Sequence, residues 1–257
     1  MSLTIQYVSD VHLERHHNKF SSILDTSSPA DVLVLAGDIG CPKDPRFKEF
    51  LNECKSHFAT VIFVPGNHEY YSCYPDTLET TDQLLKHICK DCNVVFLNKM
   101  QSHHQVKNVN FIGSTLWSNI HSTSDADIEA MNTNVFRGIK INEKTILTVE
   151  SHNNMFRQDL LTIEKSIQWG IENNLKNVVI THHAPFMKAF KSEDLPKNYM
   201  YATELSQYLS HKAIHTWIYG HTHWNTQVCF KCTLVTCNQF GGPKGIKGWR
   251  AFANLIV

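Results

Sequence analysis

The chain has 257 residues, 42% of them hydrophobic, and its 24 basic side chains balance 24 acidic ones. This length is enough to bury a large core, and we expect a single domain that spans residues 1–257. The neutral net charge argues against a basic nucleic-acid-binding tail and a strongly charged membrane-binding surface. No apolar run approaches the roughly 20 residues that cross a bilayer, and the N-terminus lacks the pattern of a secretory signal. We therefore expect a cytoplasmic protein.

In chain order, short apolar runs rich in β-branched residues predict strands that are buried on both faces. They cover residues 3–8, 32–35, 61–64, 94–97, 109–112, 178–180 and 216–219. Segments with helical spacing of apolar residues lie between them, at 45–58, 76–89 and 154–174. This alternation predicts a layered α/β fold. A predicted hairpin at 226–238 and a closing strand at 251–257 lead us to expect a largely antiparallel sheet in the second half.

Cysteine and histidine usage bears on metal binding. The eight cysteines are too few for a disulfide scaffold in a chain of this length, so reduced thiols are expected. Two Cys-x-x-Cys pairs, at 89–92 and 229–232, are too far apart in sequence to form a zinc ribbon. The sixteen histidines are unusually many and scattered, which indicates metal ligation. We expect two histidine doublets, at 16–17 and 103–104, to be solvated loop residues.

Five of the predicted strands end in polar residues of the metal-binding type. In chain order the segments are "SDVH" with Asp10 and His12, "AGD" with Asp38, "GNH" with Asn67 and His68, "THH" with His182 and His183, and "GHTH" with His221 and His223. Ligands of α/β proteins bind beyond the carboxyl ends of the strands. The five segments are therefore predicted to converge on one cleft.

The donor types and their number predict two metal ions. On an extended backbone residues i and i+2 point to the same side, so Asp10 with His12, and His221 with His223, are predicted to offer paired ligands. Carboxylate, imidazole and amide donors favour borderline divalent metals such as Mn, Fe, Zn or Ni. The donors are too many for one tetrahedral ion, but they divide over two ions if Asp38 bridges them.

The blocks "SDVH", "GDIG", "GNHE", "THHAP" and "GHTH", in this order, resemble those of the calcineurin-like metallophosphoesterases over most of the chain. The resemblance implies a four-layer αββα sandwich with two central mixed sheets, and hydrolysis of a phosphodiester or phosphomonoester. The implied ligands are Asp10, His12, Asp38 and His223 at one metal, and Asp38, Asn67, His182 and His221 at the other. A hydroxide bridging the metals would attack phosphorus in line. His68 would contact the phosphate and protonate the leaving oxygen.

Several neighbouring residues have two interpretations. In "THHAP" either His182 or His183 can be the ligand, and we favour His182 because it directly follows the strand. Glu69 is expected to orient a ligand histidine, the alternative being a surface acid. Arg137 is a candidate phosphate clamp or a surface arginine. Tyr70, Tyr71, Trp117 and Phe186 are substrate contacts or core residues. The irregular segments at 114–134 and 184–201 are expected to be functional loops.

Three alternative functions are weaker. A protein serine/threonine phosphatase is disfavoured because "GDIGCPKD" lacks the arginine of that branch. A non-catalytic scaffold of the same fold is disfavoured because all the expected site residues are present. A nuclease is disfavoured by the neutral charge, so nucleic acid is not expected as a partner. We expect a small phosphorylated substrate and no membrane partner, and the sequence leaves the oligomeric state open.

Overall fold

A computed structural model describes residues 2–120, 133–189, 199–210 and 212–257 of the chain. The strands are β1 Thr4–Val8, β2 Val32–Ala36, β3 Thr60–Val64, β4 Val95–Phe96, β5 His103–Val106, β6 Val109–Ser114, β7 Lys140–Asn142, β8 Thr145–Ile146, β9 Lys176–Thr181, β10 Ile214–Tyr219, β11 Gln227–Phe230, β12 Thr233–Cys237 and β13 Asn254–Ile256. The helices are α1 Pro45–His57, α2 Asn67–Tyr71, α3 Leu78–Asp91, α4 Asn134–Gly138, α5 Val149–Glu172 and α6 Ser206–Leu209.

Two mixed sheets form the centre of the fold. The first has the strand order β13-β1-β2-β3-β4 and the second the order β11-β12-β10-β9-β6-β5. Strands β1 to β4 are parallel to one another, and so are β12, β10, β9 and β6. The antiparallel strands β13, β11 and β5 lie at the edges. Because central parallel strands are covered on both faces, they have the continuous apolar runs that the sequence shows.

Apolar clusters fill the three spaces between four layers. Between the two sheets, Ile5 and Val34 of the first sheet pack with Ile180 of the second. Leu33, the residue before Val34 in β2, points to the opposite face of the first sheet. On that face it packs with side chains of α1 and α3. On the outer face of the second sheet, Val179 packs with side chains of α5. The fold is therefore the αββα sandwich that the resemblance implied, which confirms the predicted fold class.

The three long helices confirm the predicted ones, and capping residues set where they begin. Helix α1 begins at Pro45, and the Asp44 carboxylate accepts a hydrogen bond from the Arg46 N–H at 3.0 Å. Thr148 caps α5 by accepting from the Ser151 N–H. A side-chain cap of this kind stabilises a helix by about 1 kcal/mol. The cap starts α5 at 149, well before the predicted 154, because hydrophobic periodicity alone does not locate a cap.

The expectation of a largely antiparallel sheet in the second half is wrong. The predicted hairpin is present as β11 and β12, but β12 then pairs in parallel with β10. The closing strand β13 joins the first sheet, antiparallel to β1. Local sequence identified the hairpin and the strand, whereas their partners depend on long-range pairing that the hydrophobic pattern does not encode.

Of the two histidine doublets, only His17 is an exposed loop residue as expected. His16 is buried, and its Nε2 lies 2.7 Å from the carbonyl oxygen of Val11, which therefore accepts a hydrogen bond from it. The residues at 103–104 belong to β5, where they pair with β6. A polar edge strand has no apolar run, and this explains why the sequence did not predict it.

The two irregular segments, at 114–134 and 184–201, lie partly outside the described residues. Their described parts include the beginning of α4 and a short 3-10 helix at Met187–Ala189. Within the described ranges, the model contains no helix with the length and apolar character needed to span a bilayer.

The contact between the two sheets can be tested at Gly113 of β6. A Cβ atom at this position would lie 2.6 Å from Val64 Cγ2 and 2.7 Å from Leu97 Cβ, which is closer than packed carbon atoms approach. We expect Gly113→Ala to lower the free energy of unfolding by about 1–3 kcal/mol through overpacking between the sheets. Urea denaturation would measure the change. An unchanged midpoint would show that the sheets do not meet closely here.

Candidate metal centre

The five polar segments follow the carboxyl ends of β1, β2, β3, β9 and β10. Because β1, β2 and β3 are parallel neighbours, as are β9 and β10, each set of ends lies at one edge of its sheet. The two edges adjoin, since the His182 Nε2 after β9 lies 3.3 Å from Asp38 Oδ2 after β2. All the sequence-predicted ligand residues therefore come together in one place.

One group of potential ligands consists of Asp10, His12 and His223. The Nε2 atoms of His12 and His223 are 3.1 Å apart, and His223 Nε2 lies 3.3 Å from Asp10 Oδ1. One donor atom from each of the three residues lies within 4.8 Å of the others. The side chains of Asp10 and His12 are fully buried. These donor atoms can converge on a single cation.

A second group consists of Asp38, His182 and His221, whose donor atoms also lie within 4.8 Å of one another. The amide oxygen of Asn67 adjoins this group, 3.0 Å from His182 Nε2. The Nδ1 atom of His182 lies 3.0 Å from the carbonyl oxygen of Ala36, which can only accept a hydrogen bond. The Nδ1–H therefore donates to this carbonyl, and Nε2 is the nitrogen that could coordinate a metal.

Asp38 lies between the two groups. Besides its place in the second group, its carboxylate forms a further set of close donors with His12, a member of the first group, and with His68. The carboxylate is almost completely buried. Burial raises the pKa of Asp38, but the adjacent imidazoles of His182 and His68 hold it well below the ordinary value. A buried, ionised carboxylate in this position is suited to interact with cations on both sides.

The donor set fits divalent ions. The two groups combine buried carboxylates with imidazoles and an amide oxygen, which are ligands of borderline divalent metals, and they contain no thiolate. The imidazole nitrogens of His12 and His223 face each other at 3.1 Å, an arrangement that a cation between neutral rings would stabilise. Charges buried to this degree are normally paired or coordinate a metal.

Five of the potential ligands have a left-handed backbone conformation, so the expectation of an extended backbone at the paired ligands is wrong. The left-handed residues are Asp10, His12 and Asp38, each with φ 54°, His221 with φ 72° and His223 with φ 49°. The side chains therefore converge through tight left-handed turns and not through an extended i, i+2 alternation. Non-glycine residues in this region are strained by about 1–3 kcal/mol each, and such residues cluster at functional sites.

Gly66 permits the close approach of the segments that contain Asp38 and Asn67. A Cβ atom on Gly66 would lie 2.2 Å from Asp38 Oδ1 and 2.8 Å from His182 Nε2. No side chain fits there without displacing these groups. The glycine before Asn67 is therefore required by packing at the centre.

Glu69 supports the backbone of this centre. Its fully buried carboxylate accepts hydrogen bonds from four backbone N–H groups. The donors are Ile39 and Gly40 to Oε1, at 2.7 and 3.1 Å, and Asp38 and Gly66 to Oε2, at 3.0 and 2.7 Å. Burial and the nearby Asp38 raise the pKa of Glu69 to about 7. Glu69 thus holds two loops together, and the expectation that it orients a histidine is wrong.

Glu14 is a residue of the site that sequence reasoning missed. Its Oε1 lies 2.9 Å from His68 Nδ1 and 3.3 Å from His12 Nδ1. Burial raises the pKa of Glu14, but hydrogen bonds from the two histidines lower it to about 2. The ionised carboxylate accepts a hydrogen bond from His68 Nδ1, so the other ring nitrogen, Nε2, faces away from Glu14. The sequence "SDVHLER" places Glu14 two residues after His12, and this spacing was the signal that could have identified it.

The Nε2 atom of His68 faces the open side of the site. It lies 3.7 Å from Asp38 Oδ2 and 3.2 Å from Arg15 Nη2, and the Tyr71 hydroxyl contacts it. Arg15 lines the cleft beside His68. Arg137, the arginine suggested by the sequence, is exposed on α4 and does not line the cleft.

The ring of His183 does not belong to either ligand group, although His183 is one of the residues that line the cleft over the centre. It is buried, and its ring centroid lies 4.2 Å from that of His221. Burial and the adjacent His221 and His182 hold the pKa of His183 well below the ordinary value, so the ring is neutral. Trp117 and Phe186 are buried in the core on this side, which favours their interpretation as core residues.

A cleft of about 540 Å³ opens over the metal centre. Asp38, Asn67, His68, His221 and His223 form its floor together with Arg15, and an apolar wall is formed by Val135, Phe136, Met200 and Tyr201. Among the described lining residues, Arg15 is the one lysine or arginine. A cationic, metal-binding floor beside an apolar wall suits an anionic group that has an apolar substituent.

The support from Glu69 can be tested by Glu69→Gln. The amide nitrogen of glutamine would face two backbone N–H groups and leave them without an acceptor. We expect the free energy of unfolding to fall by about 1–3 kcal/mol in urea denaturation of the metal-free protein. Glu53→Gln, at an exposed position on α1, is the matched control and should change it by less than about 0.5 kcal/mol. Equal stability of the two variants would contradict the role of Glu69.

Sequence comparisons identify the family of the chain and two similar proteins. The family model for calcineurin-like phosphoesterases matches residues 3–225. The uncharacterized protein L509 of Acanthamoeba polyphaga mimivirus is 28% identical over 288 aligned positions, which cover 98% of this chain and 96% of that protein. The acyl-carrier-protein phosphodiesterase PptH of Mycobacterium tuberculosis is 33% identical over a local match of 97 residues, 36% of this chain and 30% of PptH.

Solved structures show the same fold. The crystal structure of PptH, phosphopantetheinyl hydrolase from Mycobacterium tuberculosis, superposes with a TM-score of 0.73 at 17% identity, covering 98% of this chain and 95% of PptH. The protein TT1561 of Thermus thermophilus gives a TM-score of 0.53 at 10% identity, covering 93% and 90% of the two chains. Together with the family match over most of its length, these likenesses show that the chain belongs to the calcineurin-like phosphoesterases.

Proposed function

We propose that this protein is a two-metal phosphodiesterase. The observation that carries the proposal is the position of Asp38, whose buried carboxylate lies between two separate groups of potential ligands. The proposed ligands are Asp10, His12, Asp38 and His223 for one ion, and Asp38, Asn67, His182 and His221 for the other. Two divalent ions at these positions would activate a water molecule and offset the negative charge of the phosphate.

His68 is the proposed general acid. Its Nε2 faces the cleft, and its Nδ1 is held by the Glu14 carboxylate at 2.9 Å. This pairing fixes the orientation of the ring, so that Nε2 faces the place where the leaving oxygen would take up a proton. The proximity of Arg15, 3.2 Å from the same nitrogen, supports a role in binding a non-bridging phosphate oxygen.

The shape of the cleft supports a diester over a monoester. A monoester needs one substituent beyond the phosphate, whereas a diester needs room for two. The cleft extends from the metal-binding floor along the wall formed by Val135, Phe136, Met200 and Tyr201, which offers space for a second, partly apolar substituent. The relative PptH is named as a phosphodiesterase. We propose a small phosphodiester as the substrate, and a cytoplasmic location that agrees with the eight free cysteines.

Asp38→Asn and His68→Ala test the assignment through different readouts. Asp38→Asn removes the shared charge, so we expect the content of Mn, Fe, Zn or Ni to fall and turnover to drop at least about 100-fold. His68→Ala should retain the metals but lower kcat by about 100- to 10,000-fold. Metal analysis and rates on bis(p-nitrophenyl) phosphate would measure both effects. Wild-type rates in both variants would contradict the assignment.

The same assay distinguishes the substrate classes. With Mn added, we expect faster hydrolysis of bis(p-nitrophenyl) phosphate than of p-nitrophenyl phosphate, and no hydrolysis without a divalent metal. A preference for the monoester would reassign the enzyme as a phosphatase. Absence of turnover on both would favour a non-catalytic scaffold. A phosphopantetheinylated acyl carrier protein, included as a third substrate, tests for the activity in the name of PptH.

Glu14→Gln tests whether the carboxylate positions His68. Glutamine keeps the shape but loses the negative charge that strengthens the hydrogen bond from His68 Nδ1 and so holds the ring in place, so we expect kcat to fall by about 10- to 100-fold under saturating Mn, with a smaller change in KM. Glu143→Gln, at an exposed position between β7 and β8, is the matched control and should leave kcat unchanged. If the two variants had equal kcat values, Glu14 would have no such role.

A further inference from the structure

Two free cysteines meet beside the metal centre, on segments that both belong to it. Cys41 lies in the loop after β2, just beyond Asp38, and Cys73 lies just beyond the end of α2. The sulfur of Cys41 is 3.5 Å from the carbonyl oxygen of Ser72, the neighbour of Cys73 in the chain. The side chains of Cys41 and Cys73 are close enough to influence each other's acidity. Neither residue is a proposed metal ligand.

The two thiols differ in exposure and in acidity. Cys41 is partly exposed, whereas Cys73 is completely buried beneath it. The hydrogen bond from Cys73, assisted by backbone N–H groups of residues 43–44, lowers the pKa of Cys41 to about 5 in spite of partial burial. The same hydrogen bond and burial raise the pKa of Cys73 well above its ordinary range. Cys41 is therefore a reachable thiolate, with a protonated thiol in contact behind it.

We propose that Cys41 and Cys73 are a peroxide-sensitive dithiol that closes reversibly to an intramolecular disulfide. The Cys41 thiolate attacks one oxygen of a hydroperoxide, the O–O bond breaks, and Cys41 becomes a sulfenic acid as the second oxygen leaves and takes up a proton. The Cys73 sulfur then attacks the Cys41 sulfur, the S–O bond breaks, and water leaves with the Cys73 proton. The peroxide accepts two electrons, one for each sulfur. An external dithiol reverses the reaction by exchange.

The disulfide would join the same two segments that Glu69 holds by hydrogen bonds. One of them continues from Asp38, and the other continues from α2, which begins with Asn67 and His68. The bond would close a loop of about 30 residues, and a cross-link of this length restricts the unfolded chain. Oxidation is therefore expected to raise the melting temperature by about 5–10 °C.

The remaining cysteines provide the background for a test. Cys54, Cys89, Cys92 and Cys237 are buried, whereas Cys229 and Cys232 are exposed on the hairpin formed by β11 and β12 and would react independently. The double variant Cys229→Ser/Cys232→Ser removes these two thiols. They lie outside the metal centre, so the double variant should keep the wild-type activity and serve as the reference protein.

The experiment treats the reference protein with hydrogen peroxide and maps its peptides by mass spectrometry. We expect a mass loss of about 2 Da, a cross-linked Cys41–Cys73 peptide pair, a higher melting temperature, and full reversal by dithiothreitol. Adding Cys73→Ser should prevent the cross-link and leave a sulfenic acid at Cys41 that dimedone traps. Adding Cys41→Ser should leave Cys73 unmodified by peroxide.

Three results would overturn the proposal. In the first, both thiols of the oxidised reference protein remain open to an alkylating reagent after unfolding. In the second, Cys41 in the Cys73→Ser variant gives no dimedone adduct. In the third, the melting temperature is the same before and after oxidation although the cross-link has formed, which would show that the disulfide does not hold the two segments. All three readouts are independent of phosphoesterase activity, so they stand apart from the proposed function.

Discussion

The arrangement of this protein depends on the burial of one carboxylate, that of Asp38, at the meeting point of two sheets. A carboxylate removed from water must be surrounded by groups that stabilise its charge. Here those groups come from three other segments of the chain, which bring His12, His68 and His182 within reach of its oxygens. The surrounding loops must therefore hold these groups close to one another in a region from which water is excluded.

Two kinds of backbone solution meet this requirement. Where the chain must turn back on itself, potential ligands take left-handed conformations, as at Asp10 and Asp38. Where a second segment must come close to the carboxylate, a glycine without a side chain leaves the necessary room, as at Gly66. Hydrogen bonds to the backbone of these loops offset the strain of the left-handed conformations, and Glu69 accepts four of them. The carboxylate and its backbone support are therefore parts of one interaction.

The sandwich explains why this site lies where it does and why it is open on one side. Parallel strands in each sheet end at the same edge, so the segments after β1, β2 and β3 are brought opposite those after β9 and β10. The segments after the strands form the floor, and α4 together with residues 200–201 forms the apolar wall of the cleft. The convergence of the potential metal ligands is thus a consequence of the fold, whereas the wall is contributed by segments outside the two sheets.

Much of this could be predicted from the sequence because it is encoded locally. Apolar runs identified the buried strands, helical spacing identified α1, α3 and α5, and the polar residues at the strand ends identified the potential metal ligands that converge. The ordered set of five blocks identified the family, and the family implied the sandwich.

Only the tertiary structure decided what each strand pairs with, because pairing depends on contacts between residues distant in the chain. It also decided that Glu69 binds backbone, that Glu14 and Arg15 flank His68, and that Cys41 meets Cys73, since a side chain's partners are set by how the loops pack and not by its neighbours in sequence.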